Sequence, residues 1–335
     1  MVQRRKKPEI RFAGYETEWI EKKFDDTFDM LSNNTYSRDA LNYDEGIAKN
    51  IHYGDVLVKF GEYLDVSREK LPYINDDAVL LKFLKSYLKD GDIVFADTAE
   101  DESVGKCTEV IGVGDTPVIS GLHTMPCRPK EKYAPKYMGY YLNSSAYHDK
   151  LLPLMQGIKV TSISRTAIKD TDVMLSDEFS EQAKIGEFLS SLDDMITAEL
   201  SKYEKLIIVK KSMIEKMYTK DGANAPEIRF DGFIDSWEQW KAKEIFKPVV
   251  DKGYPDLPVL SASQEYGMIN RAETGINIHH DIRNENGYKR VLPGQFVIHL
   301  RSFQGGFAHS VLEGITSPAY TVFDFQEQEK HYCLL

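Results

Sequence analysis

From Glu178 to Tyr218, apolar side chains recur at Ile185, Leu189, Leu192, Ile196, Tyr203, Leu206, Met213 and Met217, in steps that mostly alternate between three and four residues. This spacing lays a narrow apolar seam along a helix with charged flanks, the pattern of a coiled coil. The stretch has no proline and no glycine after Gly186. Glu178 and Glu181 near its start and Lys210, Lys211 and Lys216 near its end suit the helix dipole. At 1.5 Å per residue the predicted helix is about 60 Å long. A seam of this kind calls for a second helix, so the stretch reads as a spacer or an assembly strut; packing on an ordinary core is the alternative.

Elsewhere the pattern is shorter and more broken. Ile51–Phe60 reads as a turn and then a strand, and Tyr73–Lys89 alternates too loosely to choose between helix and strand. Gly91–Asp97 is a turn feeding a buried strand, with the loop Thr98–Lys106 directly after it. Tyr133–Lys150 carries aromatic residues at helical spacing, Gln156–Arg165 is a glycine-led polar loop entering a short apolar strand, and Asp170–Asp177 reads as a linker. The expected class is α+β, with function carried on loops.

The chain also repeats itself. PEIRFAGYETEW, Pro8–Trp19, returns as PEIRFDGFIDSW, Pro226–Trp237, with seven of twelve positions identical at a period of 218 residues. Weaker echoes continue: Lys89–Phe95 resembles Leu292–Ile298, and Val118–Thr124 resembles Ile315–Thr321. A period this long signals two related domains and not a stacked array. The expected boundaries are a first domain at 1–177, a spacer helix at 178–220 and a second domain at 221–335. The second copy has no counterpart of Glu178–Tyr218 and is expected to be an incomplete, C-terminally truncated unit. Phe12, Trp19, Phe230 and Trp237 are assigned to structure.

Composition adds bounds. A chain of 335 residues with 42% apolar and 28% charged side chains can hold two sizeable cores. No apolar run approaches the ~20 residues of a membrane span, and the basic N-terminus is followed by no apolar signal core, so a cytoplasmic protein without a membrane partner is expected. Cys107, Cys127 and Cys333 are widely spaced and read as reduced thiols. The net charge of −11 argues against a protein that grips nucleic acid by global charge, although Arg4–Lys7, Arg128–Lys136 and Lys205–Lys216 are locally basic.

Catalytic patterns are missing from the sequence. It has no GxxxxGK[ST] for nucleotide phosphates and no [DN]PP[YF], and Gly112–Gly114 is a lone GxG. His279, His280, His299 and His309 lack ligand spacing with cysteine or carboxylate. Asp92, Asp97 and Glu100–Glu102 faintly suggest a metal nuclease, but Gln295 and Leu300 stand in the second copy where Asp92 and Asp97 would align. The expectation is therefore no catalytic residue and no metal. Two similar domains on a helical strut form a ruler, a geometry suited to a two-part target such as spaced DNA half-sites.

The doubled P-E-I-R-F-x-G-[FY]-x-x-x-W, the segment G-D-I-V-F-A-D-T, the loop Gly157–Ile163 and the helix E-Q-A-K-I-G-E-F-L-S-S-L-D together resemble the specificity (S) subunit of type I restriction–modification enzymes. The resemblance implies two target-recognition domains, each reading half of a bipartite site in double-stranded DNA, and long helices that set the gap and dock modification subunits. It implies no cofactor in this chain, S-adenosylmethionine on the modification subunits, and ATP and Mg on restriction subunits. With one long helix present, a homodimer through that helix is an option. DNA-contacting candidates are Thr98, Ser103 and Lys106, then Lys159, Thr161, Ser162 and Arg165, and in the second domain Arg301, Ser302 and Gln304. A non-DNA-binding coiled-coil adaptor, an inactive truncated product and a standalone metal-dependent nuclease are the competing readings.

Overall fold

The computed structural model describes residues 7–76, 81–157, 159–220, 222–263, 266–274, 282–299 and 307–326. It divides into two compact units, Met1–Ile208 and Val209–Leu335. Sheet-rich, mixed α/β segments stand on either side of one helix, Phe179–Met217, of 39 residues.

In the first unit the strands are β1 (Ile20–Lys23), β2 (Phe28–Met30), β3 (Ala48–Ile51), β4 (Tyr63–Asp65), β5 (Tyr73–Ile74), β6 (Ile93–Ala96), β7 (Thr98–Ala99), β8 (Cys107–Ile111), β9 (Val118–Ser120), β10 (Thr124–Pro129), β11 (Thr161–Ser162) and β12 (Asp172–Leu175). The central sheet has the order β2-β10-β6-β8-β4, antiparallel except where β4 lies parallel to β8. A three-stranded sheet, β5-β3-β9, and the two-stranded pairs β1–β12 and β7–β11 complete the unit.

The buried strand expected after Gly91 is β6, and its alternation explains the layering. Ile93 and Phe95 join a core with Phe24, Phe28, Met125 and Tyr147, while Val94 and Ala96 join a second core with Val56, Leu64 and Val110. A strand covered on both faces reads as a continuous apolar run. The turn before it is closed by Asp92, whose Oδ2 accepts from the Lys89 amide at 2.8 Å. Arg128 clamps the same carboxylate, Nε to Oδ1 at 2.9 Å and Nη2 to Oδ2 at 2.6 Å.

Three expectations need correction. Ile51–Phe60 is not a turn and strand, because Tyr53–Val58 is helical: His52 Nδ1 accepts from the Gly54 amide at 3.1 Å and caps the helix start. Asp170–Asp177 is not a linker, because Asp172–Leu175 pairs with β1 and buries Val173 and Leu175. Tyr133–Lys150 holds two short helices, Tyr137–Asn143 and Ser145–His148. Tyr137, Tyr141 and Tyr147 turn inward, so the aromatic spacing marks the core-facing side of these two helices.

The entry segment docks on the first turn of the long helix. Arg11 donates through Nε to Glu181 Oε1 at 2.5 Å and through Nη2 to Oε2 at 2.9 Å, while its Nη1 holds the Thr17 carbonyl at 2.6 Å. Trp19 Nε1 donates to Glu181 Oε2 at 3.2 Å, and Phe12 meets Phe188 edge-on at 5.8 Å. Glu181 is fully buried and also accepts from the Ser176 hydroxyl. Burial alone would raise its pKa; the hydrogen bonds and charge of Arg11 hold it below the usual carboxylate value. Phe12 and Trp19 thus lie at a packing interface, as the sequence suggested.

The second unit repeats the plan. The helix Ala242–Ile245 runs into β13 (Phe246–Val249) at the 218-residue offset from the helix Phe24–Thr27 and β2. Its other strands are β14 (Leu260–Ser263), β15 (Gly267–Asn270), β16 (Lys289–Val291), β17 (Phe296–Ile298), β18 (Ala308–His309), β19 (Gly314–Thr316) and β20 (Thr321–Phe325), and the main sheet has the order β13-β20-β17-β18. Gly91 and Gly294 both adopt left-handed backbone, φ +89° and +91°, in the turn before the central strand. Gln295 takes the place of Asp92: its Oε1 accepts from the Leu292 amide at 2.9 Å, and its Nε2 donates to Asp324. Asp92 is therefore a turn-closing group and not half of a metal site.

Candidate nucleic-acid interface

The two candidate loops of the first unit, separated by about 60 residues of sequence and read independently, meet in space. β7 and β11 form a two-stranded ribbon with Thr98 opposite Ser162 and Ala99 opposite Thr161. Directly opposed side chains share a face, so Thr98 and Ser162 stand together, with Ser162 exposed and Thr98 half-buried. Ala99 is buried in the core, which anchors the ribbon from behind.

The loop that supplies β11 is closed at its base by reciprocal bonds, Gln156 N to Ser162 O at 2.9 Å and Ser162 N to Gln156 O at 2.8 Å. Gly157 makes this possible with φ +120°; a Cβ there would lie 2.0 Å from the Val160 carbonyl oxygen. Lys159 and Val160 are exposed in the same loop.

Around Thr98 lies a polar cluster that sequence reasoning missed. Thr98 Oγ1 donates to Asp97 Oδ1 at 2.8 Å, and His123 Nδ1 stands 3.3 Å from the same oxygen. His123 has φ 55°, a left-handed conformation rare for a side chain of its size, and its ring meets Tyr53 at 5.3 Å. Tyr53 in turn packs on His52 at 4.7 Å. Burial, and then the nearby Arg38, push the His52 pKa down, consistent with its acceptor role toward Gly54. Arg38 pairs with Asp55 at 2.7 Å. None of these residues forms a sequence motif; a histidine in a turn after a strand was the one available signal.

The remaining candidates sit around the ribbon in different roles. Arg165 lies behind it, where Nη1 donates to the Leu31 carbonyl at 2.7 Å and Nη2 to Asn33 Oδ1 at 2.8 Å. Asn33 passes the link on to the Gly121 carbonyl, in the turn that carries His123. Lys106 donates to the carbonyls of Leu57 and Phe60 at 2.9 and 3.0 Å, where the helix Tyr53–Val58 ends. Ser103 lies in the acidic turn, its amide held by Asp101 at 2.9 Å. Arg301, Ser302 and Gln304 lie outside the described residues.

The seam of the long helix divides. Ile185 packs against the first unit's core, whereas Leu192, Ile196, Tyr203, Leu206 and Met213 are exposed, with Leu189 and Met217 partly buried. Phe188, Met195, Leu200, Ile207, Ile208, Val209 and Ile214 are exposed as well, so the apolar surface is broader than a two-position seam. Among the described residues no group of three His, Cys, Asp or Glu side chains could hold a metal ion, and no helix is long and apolar enough to cross a membrane.

The described residues thus hold a duplicated mixed α/β plan, a polar ribbon in the first unit and a long helix with exposed apolar faces. In sequence the chain is 25% identical over 216 residues to the MjaX type I restriction enzyme specificity subunit assigned in Methanocaldococcus jannaschii, a match covering 60% of this chain and 50% of that protein. This relative bears out the resemblance carried by the repeated segment and the helix, and the chain spans about half of the relative's length. A solved type I restriction-modification S subunit from M. genitalium and a solved HsdS subunit from Thermoanaerobacter tengcongensis align over 95% and 96% of the chain and 75% and 79% of their own, each at 12% identity, with TM-scores of 0.48 and 0.42. No family model matches the chain.

Proposed function

We propose that this chain is a non-catalytic, sequence-specific DNA-recognition subunit of a type I restriction–modification assembly, working in the cytoplasm. The observation that carries the reading is the duplication, which the fold repeats from the entry helix through Gly91 and Gly294 to the central strands, with a 39-residue helix in between. An adaptor has no need of two matched domains, whereas a bipartite DNA site does. In this reading the target-recognition domains occupy 1–177 and 221–335 and the helix 178–220 sets their spacing. Its exposed apolar faces receive modification subunits or the equivalent helix of a second copy. S-adenosylmethionine belongs to the modification subunits, and ATP and Mg to the restriction subunits.

Within the first domain, Thr98 and Ser162 are proposed to face base edges, Lys159 to meet a phosphate, and Ser103 to flank them, while Thr161, which shares the face of the buried Ala99, is proposed to support the ribbon from behind. Hydroxyls read either base type, and a histidine beside a carboxylate adds a donor or an acceptor. Arg165 and Lys106 act as positioning residues, since their cationic groups already hold backbone carbonyls. Arg301 and Gln304, suited to guanine and adenine, are proposed for the second domain with Ser302.

The adaptor reading draws on the net charge of −11 and on the acidic turn Glu100–Glu102 beside the ribbon. Selection from a random duplex library by this chain co-purified with its modification partner, at two salt concentrations, separates the readings. Enrichment of a bipartite motif, with affinity falling steeply as salt rises, is expected. A stable protein complex that enriches nothing refutes DNA reading, and metal-dependent cleavage by the chain alone refutes the non-catalytic assignment.

A further inference from the structure

Thr98 and His123 share one carboxylate, and that decides which way their protons point. Thr98 Oγ1 donates to Asp97 Oδ1 at 2.8 Å, while His123 Nδ1 lies 3.3 Å from the same oxygen and 3.4 Å from Thr98 Oγ1. A carboxylate only accepts, and a hydroxyl whose proton is given to it has only lone pairs for a second neighbour. Nδ1 therefore faces two acceptors and is the ring nitrogen that carries the proton. In the neutral imidazole Nε2, on the far edge of the ring, is then a bare acceptor.

The ring is fixed in this orientation. The His123 carbonyl accepts from the Asp97 amide at 3.1 Å, so main chain and side chain tie the same two residues. The left-handed backbone of His123 is set in the turn between β9 and β10, where Thr124 Oγ1 donates to the Gly121 carbonyl at 2.5 Å. Tyr53 meets the imidazole edge-on, with 73° between the rings. Even so, 47% of the His123 side chain stays exposed, against 27% for Asp97. A side chain both anchored and open loses little freedom when it binds.

We infer that Thr98 Oγ1 and His123 Nε2, made acceptors by Asp97, select an exocyclic amino group on a base edge, so that one position of the first half-site is adenine or cytosine on the strand they face. The inference rests on the DNA-recognition role proposed above. In the major groove adenine N6 and cytosine N4 are donors, whereas guanine O6 and thymine O4 are acceptors. Against O6 or O4 the lone pairs of Thr98 and His123 would meet further lone pairs, with the Asp97 carboxylate behind them, and unpaired groups of this kind build discrimination. The second unit is made differently. Tyr320 precedes β20 as His123 precedes β10, its ring 5.8 Å from that of His299, and Leu300 stands in the sequence where Asp97 would align. A tyrosine hydroxyl donates as well as accepts, so the amino requirement belongs to the first half of the target.

The test uses the full chain co-purified with its modification partner. A random duplex library first gives the wild-type motif. Duplexes of that motif are then made with single amino groups deleted, adenine replaced by purine and cytosine by pyrimidin-2-one, one position at a time. At one position the deletion should weaken wild-type binding about tenfold, the size of a single base contact. His123→Asn keeps a residue that tolerates left-handed backbone and can still donate to Asp97, but it ends short of Nε2. With this variant the same deletion should cost nothing. Thr98→Val, which keeps the shape without the hydroxyl, should reduce the cost at that position or its neighbour. Asp97→Leu frees both protons and should admit guanine or thymine there without abolishing binding. Unchanged labelling of the buried Cys107 and Cys127 shows that each variant keeps its core.

Two outcomes overturn the inference and leave the DNA-recognition role standing. One is a wild-type motif in which every amino deletion costs the same with His123→Asn as without it. The other is an Asp97→Leu protein that still rejects guanine and thymine as strictly as wild type. A stable wild-type complex that enriches no motif removes the recognition role and this inference together, and is told apart from the other two at the first step.

Discussion

Replacing Arg128 by alanine should open the first unit's core and should do so more at neutral than at acidic pH. Asp92 has 2% of its side chain exposed and receives both forks of Arg128, with the Lys89 amide as its one other donor among the described residues. Burial already pushes the Asp92 pKa above the usual carboxylate value, and the hydrogen bonds from Arg128 are the main opposing influence. Removing one partner of such a pair strands the other charge, a loss of about 3–5 kcal/mol; the low end applies because the amide remains. The sign with pH follows from linkage. A carboxyl whose folded pKa is raised binds protons more tightly when folded, so its folded state gains stability below the unfolded pKa and loses it as pH rises through the folded one. Arg128→Ala raises that folded pKa further. The deficit should therefore be full near pH 7.5 and shrink toward pH 5 as Asp92 takes a proton. Cys107 and Cys127, both 0% exposed, report on opening of this core alone. About 3 kcal/mol corresponds to thiol labelling on the order of a hundredfold faster at pH 7.5, where opening is a pre-equilibrium. A change below about tenfold, or a deficit equal at both pH values, refutes the reasoning.

Other outcomes follow from the same structure. Glu109 is buried against the amides of Lys136 and Gly139, and burial pushes its pKa up to about 7; the raised value means stability gained as pH falls from 8 toward 5, so the labelling rate should drop over that range and Glu109→Gln should flatten the profile. Gly139→Ala would set a Cβ 2.0 Å from the Glu62 carbonyl oxygen, and a loss of at least about 2 kcal/mol by denaturant titration is expected because backbone must move. In the assembled complex, Lys159→Ala should lower DNA affinity on all sequences and reduce the salt slope by about one, whereas Thr98→Ala or Ser162→Ala should change which half-site the library selects. Leu206→Glu on the exposed helix face should abolish association with the partner helix or subunit in sedimentation, leaving labelling of Cys107 and Cys127 unchanged.

The long helix and the strand Ile93–Ala96 were legible because each imposes a strict period on its residues, and Pro8–Trp19 with Pro226–Trp237 exposed the duplication without any folding argument. Short elements were not. Tyr53–Val58 is one and a half turns of helix whose start depends on a histidine cap, and histidine is not among the usual capping residues. Asp172–Leu175 looks like a linker because strand pairing with β1 is a contact over about 150 residues of sequence that no local window contains. The site was half visible: both loops drew notice for their polar residues, but their pairing as β7 and β11 is a fact of topology. His123 and Tyr53 stayed hidden since nothing local distinguishes them. Lys106 and Arg165 show the converse, cations chosen for charge that the fold spends on carbonyls.

The ribbon of β7 and β11 is held by main-chain atoms. Its register comes from backbone pairing, the Ile163 amide reaches the Asp97 carbonyl at 2.9 Å, and the Asp97 amide reaches the carbonyl of His123 at 3.1 Å. Such bonds are blind to what side chains follow Cβ. Residues 98 and 162 can therefore be exchanged without altering the scaffold that presents them, provided Ala99 stays small and Gly157 keeps its turn. A surface built this way separates shape from preference: in the proposed role, single substitutions on the ribbon change what it contacts while the folding problem stays solved.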